Sequence, residues 1–249
     1  MSKSVIIIPS RLAATRLPNK PLIKIKNKQL IMHVYEKAVE SGIGDVFVAT
    51  CDQEIASIVD KGGGQYILTK DTHASGTDRV YEASNNLDLQ GEDYVINLQG
   101  DEPMISPEDI KNLNNISKSN DINFSTLAYD IQNKKDYTNK NIVKVKTENK
   151  ITNSIFSKAL NFSRKINLDE NINNYHHYGI YLYKYSMLEK FVNLHLSKNE
   201  KNENLEQMRA LDNKIDINVI LAKHYSIGID TEEDLYNYNK HISGKRWWK

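Results

Sequence analysis

Short apolar runs alternate with amphipathic segments through the first half of the chain, and this alternation constrains the fold more than any other feature. A buried strand is predicted for the run VIIIP, and further strands are predicted for DVFVAT, QYILT and DYVINL. Helices are predicted for QLIMHVYEKAVESG, DQEIASIVDKGGG, SGTDRVYEASNNL and SPEDIKNLNNI, the last capped by Ser106. Repeated βαβ units predict an α/β fold with a mostly parallel central sheet flanked by helices.

The pattern changes after about residue 120. INFSTLAYDI and NIVKVKTENKITNSIFS alternate with a period of two residues and have no helical segment between them, which indicates antiparallel strands. Three later runs, YGIYLYKY, DINVILA and YSIGID, predict further strands, and stretches near 161–174 and 197–204 predict surface loops. We see no repeat and no linker, so residues 1–249 are expected to form a single domain, with an antiparallel part over about residues 121–200.

Composition excludes several classes of function. The net charge of +1 gives no overall field that would recruit nucleic acid, and the apolar runs are too short to cross a bilayer. No cationic segment followed by an apolar run opens the chain, and a single cysteine fits a reducing compartment, so we expect a cytoplasmic protein without a membrane anchor. Cys51 is expected to be a structural thiol, and the tail with Trp247 and Trp248 to pack on its own domain or be disordered.

Four polar clusters follow predicted strands: PSRLAATRLPNK, THASGTDR, LQGDEP and GIDTEED. In an open parallel sheet, ligands bind beyond the carboxyl ends of the strands, so the fold is expected to bring these clusters together at one edge. Neither a G-x-G-x-x-G after the first strand nor a G-x-x-x-x-G-K-[ST] motif is present. A dinucleotide oxidoreductase and a P-loop kinase are therefore disfavoured.

Opposite charges fall at these strand ends. Arg11, Arg16 and Lys20 supply guanidinium and ammonium groups that suit phosphate oxygens, although a solvated basic loop is the alternative. Asp101 and Asp230 are expected at the ends of two strands, where they could hold Mg²⁺ together with substrate phosphates. The alternative is that Asp101 makes a turn and that Asp230 lies beside a helix N-terminus.

Two further motifs are less specific. HASGTDR combines small residues with Arg79, and it could equally be a helix entry capped by Thr77 or Asp78. The neighbouring His176 and His177 would point to opposite faces of a strand, so we do not predict a zinc site there.

Taken in order, these clusters resemble one family, the 3-deoxy-manno-octulosonate (Kdo) cytidylyltransferases, also called CMP-Kdo synthetases. The resemblance covers essentially the whole chain and is carried by IIIPSRLAATRLPNKPL, HASGTDR, INLQGDEPMI, HHYGIY, LEQMR and GIDTEEDL. It implies a nucleotide-diphospho-sugar transferase-like fold whose antiparallel part forms a homodimer. The implied reaction is CTP + Kdo → CMP-Kdo + pyrophosphate, which activates the sugar acid for lipopolysaccharide assembly.

The resemblance also implies roles for individual residues. The catalytic set would be Arg11, Lys20, Asp101 and Asp230, of which Asp101 and Asp230 would hold Mg²⁺. Nucleotide binding would fall to Arg11, Arg16, Lys20, Ser75, Gly76 and Asp101. The sugar pocket would be lined by Arg79, Gln99, His177, Tyr181, Glu206 and Gln207.

The chain departs from the family pattern at one place. The family usually has F-S-R or F-T-R followed by a proline, whereas this chain has FSK with Lys158 and then FSR with Arg164, neither followed by proline. Either cation could take the position, and a lysine there would lose bidentate pairing.

Several other functions stay open. The 8-amino analogue of Kdo is an alternative substrate, and sialic acids are a less favoured one. A non-catalytic nucleotide-binding homologue would be expected to lose Lys20, Asp101 or Asp230, which are all present. A glycosyltransferase would more naturally carry a D-x-D motif.

Overall fold

The computed structural model describes residues 2–13, 17–166 and 172–243. The strands, in chain order, are β1 (Ser4–Ser10), β2 (Lys24–Ile25), β3 (Lys28–Gln29), β4 (Val46–Thr50), β5 (Gln65–Leu68), β6 (Tyr94–Leu98), β7 (Phe124–Asp130), β8 (Lys144–Thr147), β9 (Ser157–Ser163), β10 (Asn174–Lys184) and β11 (Asn218–Leu221). The α-helices are α1 (Leu30–Glu40), α2 (Gln53–Lys61), α3 (Gly76–Ser84), α4 (Pro107–Ser119), α5 (Tyr185–Val192), α6 (Lys198–Glu203), α7 (Met208–Asp212) and α8 (Glu232–Ile242).

Within these ranges nine strands form one sheet, in the order β5-β4-β1-β6-β10-β7-β11-β9-β8. The strands β5, β4, β1 and β6 are parallel, as the βαβ pattern predicts. β10 runs antiparallel between β6 and β7, and β8 and β9 are antiparallel at the far edge. The α/β fold class is therefore confirmed, with a mixed sheet that is parallel in its first four strands.

The centre of the sheet is buried on both faces, whereas the edge strand β5 is largely exposed. All seven residues of β1 are buried; Ile6 and Ile8 pack with α1 and α4, whereas Val5 and Ile7 pack with α3 and α5. This two-sided burial explains why β1 reads as a continuous apolar run rather than an alternating one. In the described part of the chain, none of the helices has the length and apolar character needed to cross a membrane.

Capping residues, a proline and a glycine in the sequence predicted several helix ends correctly. Gly42 ends α1 with a φ of 64°, a left-handed conformation that glycine adopts without strain. Ser106 caps α4, and Pro107 is its first residue. Thr231 and Asp234 bond to each other's backbone N–H at the start of α8, as the capping-box pattern predicts.

Two predictions from the sequence were wrong, and a third was correct except at its ends. The segment YSIGID is not a strand of the sheet; it is an extended segment leading into α8. The predicted loop near 197–204 contains α6, which Ser197 and Glu200 cap reciprocally. The loop predicted near 161–174 is shorter than expected, because β9 extends to Ser163 and β10 begins at Asn174; the described residues between them, 164–166 and 172–173, belong to no helix or strand. At α6 polar surface residues hid the periodicity, because one buried face is enough to hold an element in place.

One aromatic cluster holds the middle of the sheet. Phe124 is fully buried, and its ring centroid lies 4.3 Å from that of Tyr183 and 5.7 Å from that of Phe191. We expect Phe124→Ala to lower the free energy of unfolding by about 3–5 kcal/mol, because it leaves a cavity among rings that cannot collapse. Urea unfolding measures this. The control Val39→Ala, at a half-exposed helix position, should change stability by less than about 0.5 kcal/mol. An equal loss in both variants would contradict the assignment.

Candidate active site

Three charges from distant parts of the sequence meet at one point. The Lys20 ammonium lies 2.6 Å from Asp101 Oδ2 and 3.0 Å from Asp230 Oδ1. All three side chains are partly exposed, so the group is open to a ligand. Burial lowers the pKa of Lys20, but attraction by Asp101 and Asp230 outweighs it and raises the pKa above its usual value. The lysine is therefore a cation held between two carboxylates.

Backbone geometry brings the two carboxylates together. Asp101 follows β6, and its carbonyl accepts a 2.8 Å hydrogen bond from the N–H of Ile229. The backbone N–H of Asp230 donates to Asp234 Oδ2 at 3.1 Å, at the start of α8. Asp230 was predicted at the end of a sheet strand, and that placement was wrong. It is held instead by this backbone contact and by the capped start of the helix, yet it still reaches Asp101.

Glu102 is buried close to this charged group, and the sequence analysis did not predict it as a site residue. Its carboxyl accepts from the N–H of Gly179 at 3.3 Å and from Ser226 Oγ at 3.2 Å. Burial, followed by repulsion from Asp101, raises the pKa of Glu102 to about 7. A Cβ on Gly179 would lie 3.0 Å from Glu102 Oε1, so the carboxyl fills the space that this glycine leaves. The adjacent acidic residues in QGDEP were the one signal that could have revealed it.

The charged group opens into a cavity of about 330 Å³. Its walls include these residues of the predicted site: Arg11, Lys20, Ser75, Gly76, Arg79, Gln99, Asp101 and Asp230. The other lining residues are Pro9, Ser10, Ala13, Leu17, Pro21 and Gly100. The expectation that the polar clusters meet at one edge therefore agrees with the geometry, while the role of each residue stays a prediction. Arg16 and the tail residues Trp247 and Trp248 lie outside the described residues.

Ser10 is a cavity residue that sequence reasoning missed. Its side chain ends β1 and is buried, and within the described ranges its hydroxyl has no hydrogen-bond partner. A buried hydroxyl that faces a cavity without a partner is available to a bound ligand.

The HASGTDR motif forms the entry to α3. Ser75 and Asp78 cap the helix reciprocally: the Ser75 hydroxyl accepts from the N–H of Asp78 at 3.1 Å, and the Asp78 carboxylate accepts from the N–H of Ser75 at 3.1 Å. The expected capping by Asp78 is therefore confirmed, and that by Thr77 is not. Arg79 is buried, and its Nη1 donates to Thr69 Oγ1 and, at 3.1 Å, to the carbonyl of Lys70. Arg79 therefore anchors the segment after β5 while it also lines the cavity.

The remaining predicted sugar residues do not line the cavity. His177 is buried on β10, where its Nε2 lies 3.0 Å from Thr126 Oγ1, and its ring centroid lies 5.3 Å from that of Tyr181. Glu206 and Gln207 precede α7, and Glu206 connects to the cavity side through Thr77 Oγ1 at 2.5 Å. These residues lie behind the cavity wall.

Neither candidate for the sugar-side arginine reaches the cavity. Lys158 pairs with Asp216 at 2.6 Å on an exposed face of β9, and Arg164 donates to the carbonyl of Lys140 at 3.1 Å. Among the described residues, no group of three or more His, Cys, Asp and Glu side chains could hold a metal ion. Asp101 and Asp230 together are the pair that could hold one with the help of a ligand.

Comparison with known proteins identifies the family. A family model described as cytidylyltransferase matches residues 5–217. The chain is 43% identical to a 3-deoxy-manno-octulosonate cytidylyltransferase of Thermodesulfovibrio yellowstonii, over 93% of this chain and 95% of the relative. The chain therefore belongs to the cytidylyltransferase family, among the 3-deoxy-manno-octulosonate cytidylyltransferases.

Solved structures agree with this assignment. CMP:2-keto-3-deoxy-manno-octonic acid synthetase complexed with CTP has a TM-score of 0.86 and 34% identity, covering 98% of this chain and 99% of the other. A UTP-bound UGPase from Acinetobacter baumannii has a TM-score of 0.69 at 12% identity, covering 97% of this chain and 93% of the other. The second likeness shows the fold alone. The nucleotide-diphospho-sugar transferase-like fold is thus confirmed.

The buried histidines of β10 predict a pH-dependent stability. Burial lowers the pKa of His176 to about 4 and that of His177 to about 3, whereas histidine in an unfolded chain titrates near pH 6.5. Below about pH 6.5 both histidines bind protons in the unfolded state but stay neutral in the folded state. The free energy of unfolding therefore falls as the pH falls toward 4. We expect His177→Gln to flatten this dependence by about 1 kcal/mol per pH unit.

Urea unfolding of both proteins at about pH 6 and about pH 5 measures the effect. The control His195→Gln, at an exposed position, should keep the wild-type slope. A wild-type slope in His177→Gln would contradict the burial of a neutral His177.

Proposed function

We propose that this protein transfers CMP from CTP to the anomeric hydroxyl of Kdo, releasing pyrophosphate and forming CMP-Kdo. The observation that carries the proposal is the Lys20–Asp101–Asp230 group, set with Arg11 in one cavity of a chain that belongs to the cytidylyltransferases. The names of the relatives supply the substrates. The product would serve lipopolysaccharide assembly, and the single cysteine agrees with a cytoplasmic site of action.

The reaction suits the charges of the cavity. The anomeric oxygen of the sugar acid forms a bond to the α-phosphorus, the bond from that phosphorus to the bridging oxygen breaks, and the hydroxyl proton is released. Negative charge develops on phosphate oxygens and on the leaving pyrophosphate, so alignment and fixed cations provide most of the acceleration. Arg11 and Lys20 are the described cations that would bind the triphosphate and stabilise the leaving group. The Ser10 hydroxyl, which has no partner among the described residues, would add a donor.

The donor set at Asp101 and Asp230 fits Mg²⁺. Their oxygens already hold one cation, the Lys20 ammonium, and Mg²⁺ typically takes one or two carboxylates together with substrate phosphates. Asp101 and Asp230 would hold the ion. When bound, it supplies Lewis-acid stabilisation of charge on the phosphoryl group.

The two sides of the cavity would bind different parts of the substrates. Ser75 and Gly76, at the start of α3, would contact the cytosine. A side chain at position 76 would approach Pro9 Cγ to 3.3 Å, so glycine lets this segment lie close to β1. Arg79 and Gln99 would bind the sugar acid, whose carboxylate suits a guanidinium. His177, Tyr181, Glu206 and Gln207 would support this side from behind the wall.

The direct test is pyrophosphate release with Mg²⁺, measured for the four ribonucleoside triphosphates against a panel of sugar acids. We expect turnover with CTP and Kdo. Turnover with the 8-amino analogue but not with Kdo would show that the protein catalyses the same reaction on a different sugar acid. Absence of turnover with CTP and either acid would refute the proposal and favour a non-catalytic homologue.

Removing one carboxylate of the charged group tests its role. We expect Asp101→Asn to lower kcat by roughly 1000-fold, because the amide cannot supply an anionic oxygen to a cation, while the melting temperature stays within about 5 °C. The control is Asp88→Asn, the same change at an exposed carboxylate, which should keep full activity. Near-normal turnover in Asp101→Asn would remove Asp101 from the catalytic set.

We further propose that the antiparallel part, about residues 121–200, forms a homodimer. Exposed apolar side chains on the segment that carries β9 and leads into β10 support this: Ile155, Leu160 and Ile172. We expect a solution mass twice the 28.6 kDa of the chain, and we expect Leu160→Asp to shift the equilibrium toward monomer because it places a charge in an apolar contact.

Light scattering at several concentrations measures the mass. Val39→Asp, at a comparably exposed position on α1, is the control and should stay dimeric. A monomeric wild type, or an unchanged Leu160→Asp dimer, would contradict this interface.

A further inference from the structure

A row of hydrogen bonds leads from the cavity wall into the protein. Gln99 Nε2 donates to Asn97 Oδ1 at 3.1 Å, Asn97 Nδ2 donates to Thr77 Oγ1 at 3.2 Å, and Thr77 Oγ1 donates to Glu206 Oε2 at 2.5 Å. Asn97 and Thr77 are fully buried, so water does not compete for these bonds. We call this row, from Gln99 to Glu206, the relay.

The carboxylate at its end sets the direction of every bond in the relay. An ionised carboxylate can only accept, so the single proton of the Thr77 hydroxyl is directed to Glu206. The oxygen of Thr77 must then accept from the NH₂ of Asn97, whose carbonyl in turn accepts from the NH₂ of Gln99. Consequently the carbonyl oxygen of Gln99 is the amide atom left for the cavity.

Arg209 holds Glu206 in place. Its Nη2 lies 3.5 Å from Glu206 Oε1, and the same guanidinium makes a two-pronged pair with Glu200, at 2.9 Å from Nε and 2.5 Å from Nη2. Arg209 is buried and lies over the ring of Phe191, 5.1 Å from its centroid. Contacts with two carboxylates and an aromatic ring leave this guanidinium little freedom to move.

The surroundings of Glu206 also govern its charge. Burial raises the pKa of the Glu206 carboxyl; the hydroxyls of Thr77 and Ser75 and the positive charge of Arg209 oppose that rise, and Asp78 adds to it. Arg209 therefore favours the ionised form, on which the direction of the relay depends.

We propose that the relay, held by Arg209, fixes the Gln99 amide so that its carbonyl oxygen faces the cavity. This oxygen selects a sugar acid whose hydroxyl group donates a hydrogen bond to it. Gln99 lines the cavity, and its Oε1 lies 3.8 Å from the position that a Cβ of Gly76 would occupy. The inference rests on the proposed function, since it takes this side of the cavity to bind the sugar acid. Thr77, Asn97 and Arg209 are positioning residues that act through Gln99 and Glu206.

Substitution of Thr77 tests the relay without touching the substrate. Thr77→Val replaces the hydroxyl with a methyl group of similar size and breaks the relay, whereas Thr77→Ser keeps the hydroxyl. We expect Thr77→Val to raise the KM for Kdo on the order of 10-fold, with the KM for CTP within about 2-fold of wild type, because one oriented hydrogen bond is lost. Thr77→Ser should restore the KM for Kdo. Thr77→Ala, which only removes atoms, replaces Thr77→Val if the valine variant does not fold.

The outcomes separate the relay from the proposed function. Failure of the wild type to turn over either sugar acid overturns the proposed function, and with it this inference, before any variant is measured. With an active wild type, an unchanged KM for Kdo in Thr77→Val, or an equal rise in the KM for CTP, overturns the relay alone. A rise for Kdo that Thr77→Ser does not reverse also overturns it, because loss of packing would then be the cause.

Discussion

The Lys20 ammonium between Asp101 and Asp230 is the interaction on which the rest of the site depends. Two carboxylates this close would repel each other strongly in a partly buried cavity, and a cation between them removes that penalty. Each charge comes from a different segment: a short 3-10 turn at Lys20–Leu22, the turn after β6, and the start of α8. The folding of three distant segments is thus coupled through one point, which is also where a phosphate chain would bind.

Deeper in the protein, a second ion pair orients uncharged hydrogen-bonding groups. Arg209 and Glu200 are buried together, and through Glu206 they orient the hydroxyl and amide groups that lead back to the cavity. β10 runs antiparallel between β6 and β7, and it therefore carries His177 and Tyr181 to the same end of the sheet as the carboxyl end of β6. In the proposed arrangement the phosphates bind at the Lys20–Asp101–Asp230 group, and the sugar acid binds at the Gln99 amide that the relay orients.

The sequence predicted the parallel half of the fold well, because each strand and helix there has a full apolar pattern and a clear cap or glycine stop. It also predicted that Arg11, Lys20, Asp101 and Asp230 meet, since strand ends share an edge. The sequence could not predict which backbone contact positions Asp230. The hydrogen bond between the backbones of Ile229 and Asp101 has no counterpart in the pattern of apolar side chains. Glu102, Ser10 and the relay were missed for a similar reason: their importance comes from burial and from partners far away in the sequence. The mixed order of the later strands depends on long-range pairing that no local pattern encodes.

The position of the transferred phosphorus tests the central claim most directly. CTP labelled at the α-phosphate and, separately, at the γ-phosphate can be incubated with the protein, Mg²⁺ and Kdo, and the products separated. The account predicts that the α label moves to the sugar acid and that the γ label appears only in pyrophosphate. Transfer of the γ label to the sugar acid, or retention of both labels in CTP, would contradict it.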